Sequence, residues 1–150
     1  GIRIPFIVRW PGHVAAGVKN DLPIAFYDLM PTFCDLAGVK NYTKRYRSKK
    51  LANDYFDGIS FAPSLLGKEG QAKHQHLYWE FSETDQIGVR MGDWKLVVVK
   101  GVPRLYNLAT DLHEDYDLAT LHPDIVKQMV DIIYQEHVDS QLFPITLPER

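Results

Sequence analysis

A chain of 150 residues has the length of one ordinary domain, and 45% hydrophobic with 24% charged residues is the composition of a folded protein, not a disordered tail. Its formal charge of -2, from 17 Lys and Arg against 19 Asp and Glu, excludes the global field that would draw nucleic acid or an anionic membrane. No apolar run approaches the roughly 18 residues needed to span a bilayer.

In chain order, the apolar run Ile2 to Trp10, closed by Pro11-Gly12, predicts a mostly buried strand ending in a turn. Tyr27, Met30, Cys34 and Ala37 recur at helical spacing between Ala25 and Ala37, with Gly38 at the capping position, and Pro31 is expected to kink or delay that helix. Residues 41–56 follow neither period and carry five cations between Lys44 and Lys50, as an exposed connection would. Asp57-Gly58 predicts a turn, and Ser60 to Leu66 a short helical piece ending at Gly67.

Three extended stretches follow, Leu77 to Phe81, Ile87 to Met91 and Trp94 to Val99, which read as an antiparallel meander. Arg104 to Leu108 adds a fourth strand, and the short break before it favours a hairpin. A helix is expected from Pro123 to about Val138, with Ile125, Val126, Met129, Val130, Ile132 and Ile133 on one apolar face that covers the sheet. The tail Leu142 to Arg150, with Pro144 and Pro148, reads as extended. No repeat or low-complexity tract is present. The fold class is therefore α+β: an antiparallel sheet of three to four strands under a long helix, preceded by a strand and a helix.

Several motifs carry a family likeness. Gly1-Ile2-Arg3-Ile4-Pro5-Phe6-Ile7-Val8-Arg9-Trp10-Pro11-Gly12 resembles the sulfatase segment that enters a central-sheet strand just after the catalytic lysine region. Asp28-Leu29-Met30-Pro31-Thr32 with Leu36-Ala37-Gly38 is similar to that family's Asp-x-x-Pro-Thr helix, and Asp57-Gly58-x-Ser60 with Leu65-Leu66-Gly67 resembles the next landmark. Val89-Arg90-x-Gly92-Asp93-Trp94-Lys95-Leu96 resembles its C-terminal strand pair. Leu105-Tyr106-Asn107-Leu108, Asp111, Glu114 and Leu118-Ala119 resemble its closing pattern. The departures are Asn107 for aspartate, Leu112 for proline and Asp117 for asparagine.

The resemblance implies a C-terminal portion of an alkaline-phosphatase-like sulfatase. Residues 1–40 would be the terminal strand and helix of its α/β domain, 41–70 a connection, and 71–150 the antiparallel-sheet subdomain. In that family the nucleophile is a formylglycine made from the cysteine or serine of a Cys/Ser-x-Pro/Ala-x-Arg motif, and calcium with cationic side chains holds the sulfate oxygens. Both are expected in the intact parent enzyme. Neither is expected in this segment: Cys34 is followed by Asp35-Leu36-Ala37-Gly38, and Ser60, nearest among the serines with Ala62, has Ser64 in the arginine place. No catalytic residue and no metal ligand is assigned here, and the chain alone is expected to be inactive. The partners implied are the N-terminal catalytic region of the same protein and a sulfated small molecule or carbohydrate.

Single residues admit plainer readings. Cys34 suits the inner face of its helix as a small apolar residue. Asp28 suits a helix N-terminus through capping and the dipole, and Asp57 and Asp93 suit turns. His74 and His76 stand two apart, as metal ligands on one strand face would, but no third ligand completes the set. If Leu77, Trp79 and Phe81 face the core, alternation turns His76, Tyr78 and Glu80 to the other face. In sulfatases the C-terminal subdomain lies beside the active site, so His74, His76, Tyr78 and Glu80 are the expected substrate-binding residues at the pocket rim. The bland reading is a solvated strand face.

The cations from Lys44 to Lys50 suit a solvated loop or an attraction to a sulfated polysaccharide, and Asn41-Tyr42-Thr43 is a glycosylation sequon. The chain starts at Gly1 rather than Met, so the missing secretory pattern leaves the compartment open. Periplasmic, extracellular or lysosomal locations are what the family implies. One cysteine excludes an internal disulfide. Two other readings remain: a noncatalytic module that binds glycan or protein through the sheet face and basic loop, and the phosphodiesterases and phosphomutases that share the superfold.

Overall fold

The structure, a computed structural model, describes residues 4–40 and 57–150. The expected connection, the cationic run Lys44 to Lys50 and the sequon lie outside the described residues. The chain divides between His74 and Gln75 into two compact units.

In the first unit the apolar stretch Ile4 to Trp10 forms no strand, and Ile4, Phe6, Ile7, Val8 and Trp10 are exposed, Ile7 at 90%. The expectation of a buried strand is corrected here for a physical reason. A strand satisfies its backbone only against a neighbour, and all four described strands belong to the other unit. The turn after it does form: the amides of His13 and Val14 donate to the Trp10 carbonyl, and Gly12 takes φ 80°.

The first helix is delayed, as Pro31 demands. A 3-10 turn at Phe26–Asp28 precedes α1 (Leu29–Leu36), which leaves Pro31 in the first turn where its missing N–H costs nothing. Gly38 ends α1 at φ 69°, and the Val39 and Gly38 amides bond back to the carbonyls of Cys34 and Asp35, the Schellman arrangement. The inner face differs from the one the spacing predicts. Asp28, Pro31 and Thr32 are buried, whereas Met30 and Phe33 are exposed and Cys34 is half-buried beside them. A second short helix, α2 (Ala62–Leu65), has Pro63 in its first turn and ends at Gly67, φ 63°. A Cβ at Gly58 would collide with the Tyr27 carbonyl, so the Asp57-Gly58 turn needs glycine for close approach.

The second unit is an antiparallel sheet in the order β1 (Leu77–Phe81), β2 (Gln86–Met91), β3 (Trp94–Val99), β4 (Val102–Asn107), covered by α3 (Pro123–Glu136). The two tight hairpins follow from their residues. Gly92 takes φ 58° at the first loop position between Met91 and Trp94, and Lys100-Gly101 takes φ 50° and 78° between Val99 and Val102, as a type I′ turn requires. Ile87, Val89, Leu96, Val98 and Leu105 form one buried face, and Met129, Val130, Ile132 and Ile133 of α3 pack on it. Each such side chain contributes about 1.5–3 kcal/mol by leaving water.

Register corrects the expected face of β1. Tyr78 pairs with Val89 and Glu80 with Ile87, so Tyr78 and Glu80 lie on the helix-covered face, while Leu77, Trp79 and Phe81 lie on the other, with Phe81 exposed. Alternation alone leaves the choice of face open, and three apolar residues point to the wrong one. The tail returns to the sheet: Ile145 and Leu147 pack on the core, the Thr146 amide donates to Asp85 Oδ1 at 2.7 Å, and the Tyr134 hydroxyl donates to the Pro148 carbonyl. The Thr146 bond holds the Asp85 carboxyl below its ordinary range.

Candidate functional site

Of the four expected rim residues, three come together. Tyr78 and Glu80 project from β1 towards the C-terminal end of α3, and His76 precedes the strand on the same side. The Tyr78 hydroxyl donates to Glu80 Oε1, and the same oxygen accepts from His137 Nδ1 at 2.7 Å. His137 Nε2 lies 3.0 Å from Asp139, and His76 Nε2 lies 2.8 Å from Glu136 Oε1. Burial, then the bond to Glu80 and the charges of Glu80 and Glu136, push the Tyr78 hydroxyl well above the ordinary tyrosine range. The bond to Glu80 raises His137, and burial opposes it. Glu136, His137 and Asp139 escaped the sequence reading. Their signal was local, two acids flanking a histidine where the helical period stops.

His74 belongs to the first unit. Its Nε2 lies 2.8 and 3.0 Å from the two oxygens of Asp28, and Tyr27 meets its ring edge-on. A carboxylate accepts only, so Nε2 carries the proton. Asp28, 1% exposed, also accepts the amides of Ala25 and Ile59. The capping role expected of it is therefore a junction of three chain segments. Among the described residues no three His, Cys, Asp or Glu side chains could hold a metal ion. No described helix is long and apolar enough to cross a membrane.

The motif residues of the closing segment serve the backbone. Buried Lys95 pairs with Glu114, which itself takes φ 62°. Asp111 accepts the amides of Asp115 and Tyr116, and that of Tyr116 does most to hold its carboxyl low. Asp117 Oδ1 accepts the amides of Leu105 and Ala119, and Asn107 Oδ1 accepts that of Ala109. Both jobs need only an acceptor oxygen, which Asp and Asn share. This explains why Asn107 and Asp117 depart from the pattern without disturbing the turn.

Residues 1–142 match the family described as N-sulphoglucosamine sulphohydrolase, C-terminal. Human arylsulfatase A is 30% identical over 145 residues, covering 79% of this chain and 26% of its own length. The N-acetylgalactosamine-6-O-sulfatase of Bacteroides thetaiotaomicron is 26% identical over 149 residues, covering 89% and 27%. The chain thus spans about a quarter of these relatives. Among solved structures, Ps i-CgsB superposes with TM-score 0.66 at 23% identity over 93% of this chain and 30% of its own. BT1596, a 2-O GAG sulfatase, does so with TM-score 0.54 at 25% identity over 80% and 27%.

Proposed function

The chain belongs to the sulfatases, in the C-terminal region of that family, and on that premise we propose that it is the C-terminal part of a sulfuric ester hydrolase whose catalytic residues lie elsewhere in a longer protein. The observation that carries this reading is the unpaired apolar segment Ile4 to Trp10. Its composition suits an inner strand, yet it is exposed and has no sheet here. The N-terminal catalytic region would supply that sheet.

Formylglycine and calcium, in this reading, belong to that other region, where they supply the nucleophile and the charge that holds sulfate. The described residues do not fit either. Cys34 lacks the maturation motif, and no cluster of three ligands exists among the described residues. The substrate proposed is a sulfated small molecule or carbohydrate, by analogy with what the names of the relatives state. His76, Tyr78 and Glu80 would contribute to the pocket rim. Glu80, fixed by Tyr78 and His137, would offer a preorganised acceptor to a leaving-group hydroxyl.

Steady-state kinetics test this on the full-length protein, with the 150-residue chain as control. The chain alone is expected to turn over no aryl sulfate, with or without calcium. In the full-length protein, H76A and E80A should raise KM for the natural substrate more than for a small aryl sulfate and leave kcat nearly unchanged, the sign of uniform binding. Turnover by the isolated chain would overturn the division of labour. An equal, large loss of kcat on the small substrate would make these residues catalytic instead.

A further inference from the structure

We propose that His137, with the acidic groups around it, is an acid-strengthened clasp that fixes the C-terminal end of α3 to β1 and loosens as the ring loses its proton. The geometry itself asks for the cation. Nδ1 faces Glu80 at 2.7 Å and Nε2 faces Asp139 at 3.0 Å, and both carboxylates can only accept. A neutral imidazole has one N–H, so it can satisfy one of the two. Only imidazolium closes both bonds at once and joins the strand, the helix end and the segment that leaves it.

The surroundings favour the same state. His137 is the residue that ends α3, its amide still bonded to the Ile133 carbonyl, and the last turn holds no basic residue. A positive ring there meets the negative end of the helix dipole. Two carboxylates face it, Glu80 from β1 and the fully exposed Asp139 beyond the helix; Tyr78 shares Glu80, and the preceding residue Glu136 is paired with His76. The neighbouring positions of β2, Ile87 and Val89, are apolar. Elsewhere on α3, Lys127 is paired with Asp131, and Tyr134 is held by Pro148 and Arg150. With its side chain only 10% exposed, the ring is shielded from much of the competing water.

The direction of the effect follows from linkage. A histidine raised above its ordinary value by a folded-state partner stabilises fully below about pH 6.5, the unfolded value, and that contribution is lost as pH rises through the folded one. The clasp therefore holds both bonds in acid and at most one in base. Tyr78 stays neutral throughout and keeps donating to Glu80, so the strand side of the clasp persists when the helix side weakens.

Thermal unfolding of the full-length protein, wild type against H137Q and E80Q, tests the clasp at about pH 5.5 and about pH 8.5, either side of the ordinary histidine value. Each variant should lower Tm by about 2–4 °C at the acid pH, and the deficit should be clearly smaller at the basic one. A deficit of the same size at both pH values would overturn the proposal. Should either variant fail to fold, histidine-selective NMR titration of the wild-type ring gives a second reading. A midpoint at or below the ordinary value would sink the clasp without touching the sulfatase assignment, which the kinetics above decide separately.

Discussion

Asp28 shows how much one side chain can hold. Its two oxygens receive two backbone amides, from Ala25 and Ile59, and the Nε2 proton of His74, in a site that is closed to water. Removing the carboxylate would leave buried donors with no partner, which costs more than the bonds themselves contribute. D28A should therefore destabilise the first unit by about 3–5 kcal/mol, read as a shift in the denaturant midpoint. H74A, which removes only one of the three donors and leaves the two amides bonded, should cost less. Equal losses in the two variants would mean that the imidazole, and not the convergence of amides, is what the carboxylate serves. The sequence displayed Asp28 and His74 but not their union, because they lie 46 positions apart and no local period links them.

At the level of elements, the strands and the long helix were legible because each obeys a single local rule. β1 and β3 begin and end where alternation and the glycine turns put them, and α3 runs from Pro123 with its apolar face inward. What local rules could not supply was partnership. The Ile4 to Trp10 stretch has strand composition but no partner strand among the described residues, and the expected face of β1 is reversed because its own residues are apolar on the outer face. The register with Ile87 and Val89 decides that matter, and register is a property of two strands. The helix packing has a direct check. Ile133 is fully buried against the sheet, so I133A should cost about 2–5 kcal/mol, and I133D more, since its charge would have no partner. Val138, exposed just beyond the helix, is the control: V138D should leave the midpoint nearly unchanged. A wild-type midpoint in I133D would deny that α3 is packed as described.

For the whole molecule, the informative feature is where apolar surface remains. The second unit is closed on its helix side by α3 and the returning tail, whereas the first keeps Ile7 exposed and, separately, an open apolar groove where Phe26 and Phe33, the latter at 61%, join Leu29, Met30, Cys34 and Val39. Monomeric proteins rarely leave contiguous apolar patches larger than a few hundred Å² open to water. In the reading proposed above, a catalytic region would cover this surface and remove it from solvent; between isolated chains, other copies of the same surface can do so. The 150-residue chain should therefore self-associate as its concentration rises, with sedimentation velocity showing a growing average mass. Charges placed on these apolar surfaces oppose that, because bringing like charges together costs more than the apolar contact gains. I7K with F33K together should hold the chain monomeric at concentrations where the wild type has associated, and should leave the unfolding midpoint almost unmoved, since both side chains are already in water. A wild-type chain that stays monomeric throughout would show that the surface is tolerated as it is, and the argument that it awaits a covering region would lose its physical basis.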